Sequence, residues 1–327
     1  MIVVTGAAGF IGSNIASALA SGGRRVVAVD RLRTGGKWRN LAKTELHDIV
    51  APEGLDRWLD AEGKDVEAIV HMGAISSTTE TDADLIVETN VRTSWRLWSF
   101  CARRERPFLY ASSAATYGDG SAGFVDDGTP EALARLRPLN AYGWSKHLFD
   151  RRIARAVTSG EPRPPQWAGL KFFNVYGPNE YHKGSMKSVV AQKFEAAQRG
   201  EAVGLFRSHR PDVPDGGQRR DFVFVEDCVA VVEWLLAHPT VSGLFNVGSG
   251  RARSFAELVQ AMYAALGRET RIAYVDMPVE LRGKYQYFTE ARMEKLRAAG
   301  FDRPSTPLEA GVRRYVENFL SRPDPYR

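Results

Sequence analysis

The chain has 327 residues, of which 44% are hydrophobic, so it is long enough to bury a large core in one domain or in two lobes. Its formal net charge of +5 is spread along the sequence without a long basic run, which favours anionic small molecules over nucleic acid as partners. No stretch approaches the ~20 apolar residues of a membrane span, and the histidines lack metal-ligand spacing. We therefore expect neither a membrane protein nor a metal site.

Two further features bear on the compartment. Cys101 and Cys228 lie in apolar segments, which is typical of reduced thiols. The N-terminus enters a strand directly and leaves no room for a signal peptide. Both features predict a cytoplasmic protein.

The first element is a short strand, Ile2-Val3-Val4, which leads through a glycine-rich turn into a helix predicted over Ser13–Ala20. Gly6, Gly9 and Gly12 allow a tight turn, a close approach to a pyrophosphate, and packing of the helix on the sheet. The helix N-terminus offers free N–H groups and a partial positive charge to the phosphates. This arrangement predicts a dinucleotide site.

The second strand, Arg25–Asp30, ends in an acid about 20 residues after the glycine turn. An acid there commonly accepts a hydrogen bond from the adenosine ribose, which favours NAD. Arg31, Arg33 and Lys37 follow at once, and these cations are able to hold the 2′-phosphate of NADP. The residues leave the choice between NAD and NADP open.

Glu67–His71 is the next strand, and Met72-Gly73-Ala74-Ile75-Ser76 is its exit loop, predicted to lie beside the cofactor. Asn90 follows, and either pins the backbone near the active-site strand or caps a turn. The alternation of strand and helix continues through the strand at Gly169–Pro178. This alternation predicts an α/β fold, a Rossmann-like doubly wound parallel sheet with a smaller, interleaved substrate-binding lobe.

The apolar run Pro107–Ala111 reads as a buried strand that delivers Ser112 and Ser113 to its end. Further along, Tyr142 and Lys146 stand four residues apart in a predicted helix, so phenol and ammonium share one face. A lysine beside a tyrosine favours the phenolate, which can exchange a proton with a carbinol while a hydride leaves the carbon. Alone, the Tyr-x-x-x-Lys pattern is weak.

The chain beyond Pro178 is less regular. We predict a helix over Ser188–Arg199, an irregular loop over Arg207–Gln218, and a Pro-rich C-terminal tail that frays. With no low-complexity linker between them, the two lobes should interleave. The predicted dinucleotide-binding lobe is 1–172 and 222–248, and the predicted substrate-binding lobe is 173–221 and 249–327.

Together, the glycine turn, the serine-bearing strand end and the Tyr-x-x-x-Lys helix resemble the extended short-chain dehydrogenase/reductase superfamily, in its NAD-dependent epimerase/dehydratase branch. Four segments, Ser112–Gly118, Phe173–Pro178, His182–Met186 and Gly283–Gln286, are similar to those of the ADP-heptose 6-epimerase family. The dehydratases of this branch carry an Asp-Glu pair where this chain has Ala114 and Ala115, so dehydration is disfavoured.

The closer resemblance implies an enzyme that inverts C6″ of ADP-heptose by removing and returning a hydride through bound NAD(P), for lipopolysaccharide core biosynthesis. The implied catalytic residues are Ser113, Tyr142, Lys146 and Lys183, with Lys183 as a second acid–base group. The cofactor residues are Gly6, Gly9, Phe10, Ile11, Gly12, Asp30, Arg31, Lys37, Met72, Gly73, Ala74, Ile75, Ser76, Asn90 and Lys146. The substrate residues are Ser113, Asn174, Val175, Ser185, Gln192, Phe206, Arg220 and Tyr285.

The chain departs from the family pattern at Met72, where an acid is usual, and at Trp144, where a tyrosine is usual. Its 207–218 loop is also longer. These departures bear on the exact substrate more than on the reaction. The resemblance implies NADP, with NAD possible, and a homo-oligomer, a pentamer in the family.

Two alternatives stay open. One is a UDP- or GDP-sugar 4-epimerase or reductase on the same scaffold, which a different nucleotide preference would reveal. The other is a non-catalytic dinucleotide-sensing protein. A sensor has no need to retain Ser113, Tyr142, Lys146 and Lys183 together, which argues against it.

Overall fold

A computed structural model of the chain describes residues 1–282 and 285–327. The strands are β1 (Ile2–Thr5), β2 (Val26–Val29), β3 (Asp48–Val50), β4 (Ala68–His71), β5 (Phe108–Ser113), β6 (Trp167–Phe172), β7 (Asn174–Tyr176), β8 (Val203–Phe206), β9 (Arg219–Phe224), β10 (Gly243–Val247), β11 (Ala252–Ser254) and β12 (Ile272–Val275). The helices are α1 (Phe10–Ser21), α2 (Leu55–Glu62), α3 (Ala83–Ile86), α4 (Thr93–Arg103), α5 (Pro130–Leu133), α6 (Ala141–Thr158), α7 (Val189–Gln198), α8 (Val225–Ala237), α9 (Phe255–Ala265), α10 (Val279–Arg282), α11 (Glu294–Ala298) and α12 (Leu308–Tyr315).

The central sheet has seven strands in the order β10-β6-β5-β4-β1-β2-β3, and every neighbouring pair is parallel. Its inner strands are short apolar runs buried on both faces, as expected when helices cover a parallel sheet on each side. The chain runs outward from β1 to β3 and then returns to β4 on the other side of β1. The predicted Rossmann-like, doubly wound fold is therefore confirmed.

Smaller sheets lie outside the central one. β7 pairs in parallel with β9, β9 pairs antiparallel with β11, and β8 pairs in parallel with β12. Their apolar side chains form a second core cluster with α7, α9 and α12. Strand β9 crosses the predicted lobe boundary after residue 221, and the division into two lobes stays a prediction.

Two local differences from the sequence-based expectations have simple causes. Helix α1 begins at Phe10, three residues before the predicted start, because Gly9 already has the extended conformation of an N-cap residue. The C-terminal tail packs against the protein, whereas we expected it to fray, because its polar groups find partners on distant loops.

Among the described residues, no helix combines the length and apolar character that crossing a bilayer requires. In the same part of the chain, no three His, Cys, Asp or Glu side chains are grouped as ligands for a metal ion.

Candidate active site

A cavity of about 980 Å³ lies beside the carboxyl ends of β1, β2, β4 and β5, where the strand order reverses. Parallel α/β sheets bind their ligands at such a reversal. The side chains of Ser113, Tyr142, Lys146 and Lys183 all line this one cavity. Residues that stand 70 positions apart in sequence are thus brought to one site.

The glycine turn fits a dinucleotide. A Cβ atom on Gly12 would lie 2.1 Å from the carbonyl oxygen of Gly6, so any side chain there would fill the turn. Helix α1 has no side-chain cap and no acid in its first turn, which leaves its N-terminus suited to an anionic diphosphate. The predicted cofactor residues Gly6, Gly9, Phe10, Ile11 and Gly12 all line the cavity.

The acid at the end of β2 belongs to the same part of the cavity. Asp30 accepts hydrogen bonds from the Ala8 amide, at 2.9 Å, and from the ammonium of Lys37, at 2.5 Å. The guanidinium of Arg31 contacts the carboxylate of Glu53. Arg31, Arg33, Lys37, Asp30 and Glu53 all line the cavity, so three cations and two carboxylates surround this end.

The exit loop of β4 forms another wall, which includes Met72, Gly73, Ala74, Ile75 and Ser76 as predicted. Beneath it, buried His71 links Thr5 to Ser94 through both ring nitrogens, at 2.6 and 2.8 Å. Ser94 donates to the carbonyl of Asn90, so it must accept from Nε2–H of His71, and Nδ1 then accepts from Thr5. Burial lowers the pKa of His71 to about 3, and the charge of Lys146 adds to this effect.

Asn90 does not line the cavity, although we predicted it as a cofactor residue. It is fully buried, and its side-chain amide accepts from the Ile75 amide at 2.8 Å and donates to the Ile75 carbonyl and to the Ser145 hydroxyl. Ser145 in turn donates to the carbonyl of Tyr142. Asn90 therefore ties the exit loop to helix α6, as the alternative of a pinned backbone predicted.

Helix α6 begins with Asn140 as its N-cap, whose side chain accepts from the Gly143 amide. Tyr142 and Lys146 follow one turn apart, facing the cavity. Burial raises the pKa of Tyr142, and the neighbouring Ser113 hydroxyl opposes that rise. Burial lowers the pKa of Lys146 to about 8. We expected the neighbouring Lys146 to favour the phenolate of Tyr142, but among the protein groups desolvation is the largest effect and raises the pKa.

A buried ion pair supports the strand end and the helix. Asp150, one further turn along the same face of α6, accepts from Lys171 at 2.7 Å, from Ser112 at 2.7 Å and from Tyr110 at 3.0 Å. Asp150 and Lys171 are both fully buried. Because Tyr110 and Ser112 belong to β5 and Lys171 to β6, this cluster fixes the strand that carries Ser113 against α6.

Lys183 reaches the cavity from a six-residue 3-10 turn, Tyr181–Met186. Its ammonium lies 5.5 Å from the centre of the Phe10 ring. Burial lowers the pKa of Lys183, and the nearby carboxylate of Glu180 opposes the shift. A lysine in these surroundings is more easily deprotonated than an exposed one.

The eight predicted substrate residues do not all lie in this cavity. Ser113 and Val175 line the cavity, whereas the other six are not part of its lining. Asn174 is exposed on β7, and the Gln192 amide donates to the carbonyls of Ser185 and Lys187. Of the family-like segment 283–286, Gly283 and Lys284 lie outside the described residues.

Phe206, Arg220 and Tyr285 form a separate cluster. The Arg220 guanidinium lies over the rings of Tyr285 and Phe255, at 5.1 and 5.7 Å from their centres, and the Phe206 ring is 6.3 Å from that of Tyr285. Arg220 is 7% exposed and donates to the carbonyl of Arg219. Burial lowers its pKa. A guanidinium held between rings is a suitable partner for a phosphate.

Sequence reasoning missed several cavity residues, above all His71 and His182. His71 is the last residue of β4 and directly precedes the predicted cofactor loop, and this position could have predicted that it lines the cavity. The side-chain amide of Asn40 donates to Nδ1 of His182 at 3.1 Å, and burial lowers the pKa of His182 to about 4. That contact joins loops 142 residues apart, which no local pattern reveals.

Comparison with known sequences places these features in context. A sequence model of the NAD dependent epimerase/dehydratase family matches residues 2–248. A protein of Nitratidesulfovibrio vulgaris strain DP4, named ADP-L-glycero-D-manno-heptose-6-epimerase, is 50% identical over 329 residues, with all of both chains covered. A protein of the same name from Fusobacterium nucleatum is 43% identical, again over the full length of both.

Solved structures agree in fold. The Helicobacter pylori ADP-L-glycero-D-manno-heptose-6-epimerase superposes with a TM-score of 0.82 at 28% identity, covering 98% of this chain and 96% of that one. The Thermus thermophilus UDP-glucose 4-epimerase, solved with NAD, has a TM-score of 0.75 at 27% identity over 98% and 99%.

Proposed function

Because this chain belongs to the NAD dependent epimerase/dehydratase family, we propose that it inverts C6″ of ADP-D-glycero-β-D-manno-heptose to give the L-glycero epimer. The observation that carries the proposal is one cavity lined by the dinucleotide turn, by Tyr142 and by Lys183. The full-length relatives with this name supply the substrate. The product would serve lipopolysaccharide core biosynthesis.

The reaction needs a hydride acceptor and two acid–base groups. A nicotinamide dinucleotide held by the glycine turn and by the Met72–Ser76 loop would supply the hydride acceptor and donor for C6″. The phenol oxygen of Tyr142 removes or returns the hydroxyl proton on one face of that carbon, and Ser113 orients the oxygen. Acid–base help of this kind typically contributes about 10²–10⁴-fold.

Lys183 handles the proton on the other face. Inversion requires the hydride to return to the opposite face of the ketone, so the sugar must turn and a second proton donor must be within reach. The lowered pKa of Lys183 brings its two protonation states closer in free energy, which suits a group that both gives and takes a proton. Lys146 lies one helical turn from Tyr142 and supplies a positive charge that favours the phenolate.

Arg220 binds the ADP diphosphate. The guanidinium is buried between Tyr285 and Phe255, where it is held ready to contact two phosphate oxygens at once. Phe206 and Tyr285 supply apolar surface around it. We also assign Asn174, Ser185 and Gln192 to the sugar-nucleotide site, and the ground for this assignment is the family resemblance.

The cofactor is NADP. Lys37 already neutralises Asp30, and Arg31 and Arg33 supply further positive charge at the adenosine end. These cations support binding of a 2′-phosphate. Mass spectrometry of the dinucleotide released from denatured protein tests this choice, and release of NAD alone would contradict it.

The enzyme acts in the cytoplasm as a homo-oligomer. This rests on the resemblance, and light scattering after size-exclusion chromatography measures the number of subunits. A monomer at micromolar concentration would overturn it.

The deciding experiment incubates the purified protein with ADP-D-glycero-D-manno-heptose in D₂O, without added cofactor, and follows C6″ by NMR. We expect conversion to the L-glycero epimer without deuterium at C6″, because the hydride returns directly. Deuterium at C6″ would replace this mechanism with proton exchange at carbon. No conversion, combined with turnover of a UDP- or GDP-sugar, would overturn the substrate assignment.

A further inference from the structure

The last residues of the chain form a strap, defined here as Asp324–Arg327, across the back of the active-site loops. The Tyr181 hydroxyl donates to the carbonyl of Pro325 at 2.7 Å, and the ring of Tyr326 meets the ring of Tyr181 edge-on, with centres 5.2 Å apart. The ammonium of Lys43 donates to the Tyr326 carbonyl at 2.7 Å. The strap thus contacts Tyr181 in the active-site turn and Lys43 near the N-terminal end of the chain.

Arg327 adds contacts to three further elements. Its backbone amide donates to the side-chain oxygen of Asn179 at 3.0 Å, and its guanidinium donates to Asn14 of α1 at 3.3 Å. The same guanidinium lies 3.5 Å from the carboxylate of Glu226 on α8. The four-residue strap therefore contacts loops and helices from both ends of the sequence.

The residues that the strap holds are the base of the Lys183 turn. Asn179 and Tyr181 flank Glu180, whose buried carboxylate accepts hydrogen bonds from the amide and hydroxyl of Ser188, the N-cap residue of α7 just beyond that turn. The amide of Lys183 donates to the Glu180 carbonyl at 3.1 Å. Movement of Asn179 or Tyr181 would therefore displace Glu180, and with it both ends of the turn.

The turn has little regular structure of its own. It spans six residues, and its helical geometry is interrupted at Gly184. Asn179, which precedes it, has a φ of +73°, in the left-handed region that asparagine adopts more readily than most residues but that neighbouring contacts still help to hold. The hydrogen bond from the Arg327 amide to the Asn179 side chain helps to supply this restraint.

We propose that the strap positions Lys183 for proton transfer, with Tyr326 and Arg327 as positioning residues. The inference rests on the proposed function, in which Lys183 is the second acid–base group. A displacement of about 1 Å in a reacting group is enough to cost about 10²-fold in rate. Deleting residues 324–327 should therefore lower kcat by about that factor while KM changes little.

The experiment compares four proteins in the C6″ epimerisation assay: the full chain, the chain ending at Pro323, Lys183→Met, and Lys183→Met ending at Pro323. If the strap acts through Lys183, the deletion lowers kcat only where Lys183 is present. An equal loss in both backgrounds, or no loss in either, would overturn the proposal. Dinucleotide content is measured for each protein, because Arg327 also contacts α1.

Point variants refine the test. Tyr326→Ala should lower kcat, whereas Tyr326→Phe, which keeps the ring on Tyr181, should not. Hydrogen–deuterium exchange gives a readout that is independent of the substrate: the amides of Lys183, Lys187 and Ser188 should exchange faster after deletion. Unchanged exchange would overturn the proposal even if the full chain proved inactive on ADP-heptose, an outcome that by itself contradicts only the proposed function.

Discussion

The two proposed acid–base groups of the cavity are held in place by different means. Tyr142 lies on α6, an 18-residue helix, above a buried cluster in which Asp150 joins β5 and β6 to that helix. Lys183 lies on a six-residue turn that depends on Glu180 and on contacts from the C-terminal strap. One group is part of the sheet-and-helix framework, and the other is assembled from loops.

The central sheet and its helices thus determine the position of Tyr142, whereas contacts between loops determine the position of Lys183. We expect a tyrosine supported by buried core residues to keep its position when different substrates bind. A lysine on a loop turn can be moved by changes in distant loops. We therefore expect substitutions near Tyr142 to act mainly on stability, and substitutions around Lys183 to act mainly on turnover.

The largest effects should come from removing the two groups themselves. Tyr142→Phe and Lys183→Met should each lower kcat by about 10²–10⁴-fold, because each removes one proton-transfer step. Both proteins should retain bound dinucleotide and a normal melting temperature, which calorimetry and absorbance spectra check. Near-normal turnover of the Lys183 variant would remove that residue from the mechanism.

The next largest effect should come from breaking the buried ion pair between Asp150 and Lys171, and it should lower stability instead of turnover. Asp150→Ala leaves the Lys171 ammonium buried without its partner, and we expect the free energy of unfolding to fall by about 3–5 kcal/mol in urea denaturation. Asp324→Ala is the matched control, since that carboxylate is 59% exposed in its pair with Lys43 and its loss should leave urea unfolding unchanged. Equal effects of the two substitutions would contradict a structural role for Asp150.

Acidification should destabilise the framework through His71. Its folded pKa of about 3 lies below the unfolded value of 6.5, so between these values the unfolded state binds a proton that the folded state does not. This contribution to stability is present above pH 6.5 and is lost as pH falls, with a slope of at most about 1.4 kcal/mol per pH unit.

The measurement compares urea unfolding of the wild type and His71→Gln at several pH values. His147 and His182 also have pKa values lowered by burial, to about 4, so they add to the slope in both proteins. The variant should be less stable at neutral pH and should lose stability less steeply on acidification. If stability fell equally steeply with pH in both proteins, folding would not lower the pKa of His71, and this prediction would be wrong.

The smallest effect on stability should come from Gly184→Ala in the Lys183 turn. Gly184 has a φ of +54° and a ψ of −125°, a sparsely populated backbone region where a Cβ costs about 1–3 kcal/mol. Gly35→Ala is the control, because no atom lies within 4 Å of a Cβ there and its φ is −89°. If the turn positions Lys183, Gly184→Ala should lower kcat by more than its stability loss alone explains. Wild-type kcat in this variant would contradict that view.

Local patterns were sufficient for the framework. The glycine turn, the Tyr142–Lys146 spacing and the alternation of apolar strands with helices each depend on residues close in sequence, and each predicted the element that the structure contains. Strand β3 was missed because only one of its three residues is buried, so it carries no apolar signal.

Long-range polar contacts were not predictable in this way. The hydrogen bonds from Arg327 to Asn179 and Asn14 span 148 and 313 residues, and a Pro-rich polar tail has no periodicity that indicates docking. The cluster of Phe206, Arg220 and Tyr285 likewise depends on how separate loops meet. Sequence reasoning therefore identified the residue types of the candidate site better than their arrangement.

The position of β10 at the edge of the central sheet has a consequence for biosynthesis. β10 pairs with β6, from which it is separated by about 70 residues of intervening chain, and Gln166 at the start of β6 donates to carbonyls of Leu235, His238 and Val241. While the ribosome is still making that interval, the edge of β6 has no neighbour and is open to pairing with other chains. The nascent chain is thus most exposed to misassembly after β6 emerges, and the hazard ends only when residue 247 has left the exit tunnel.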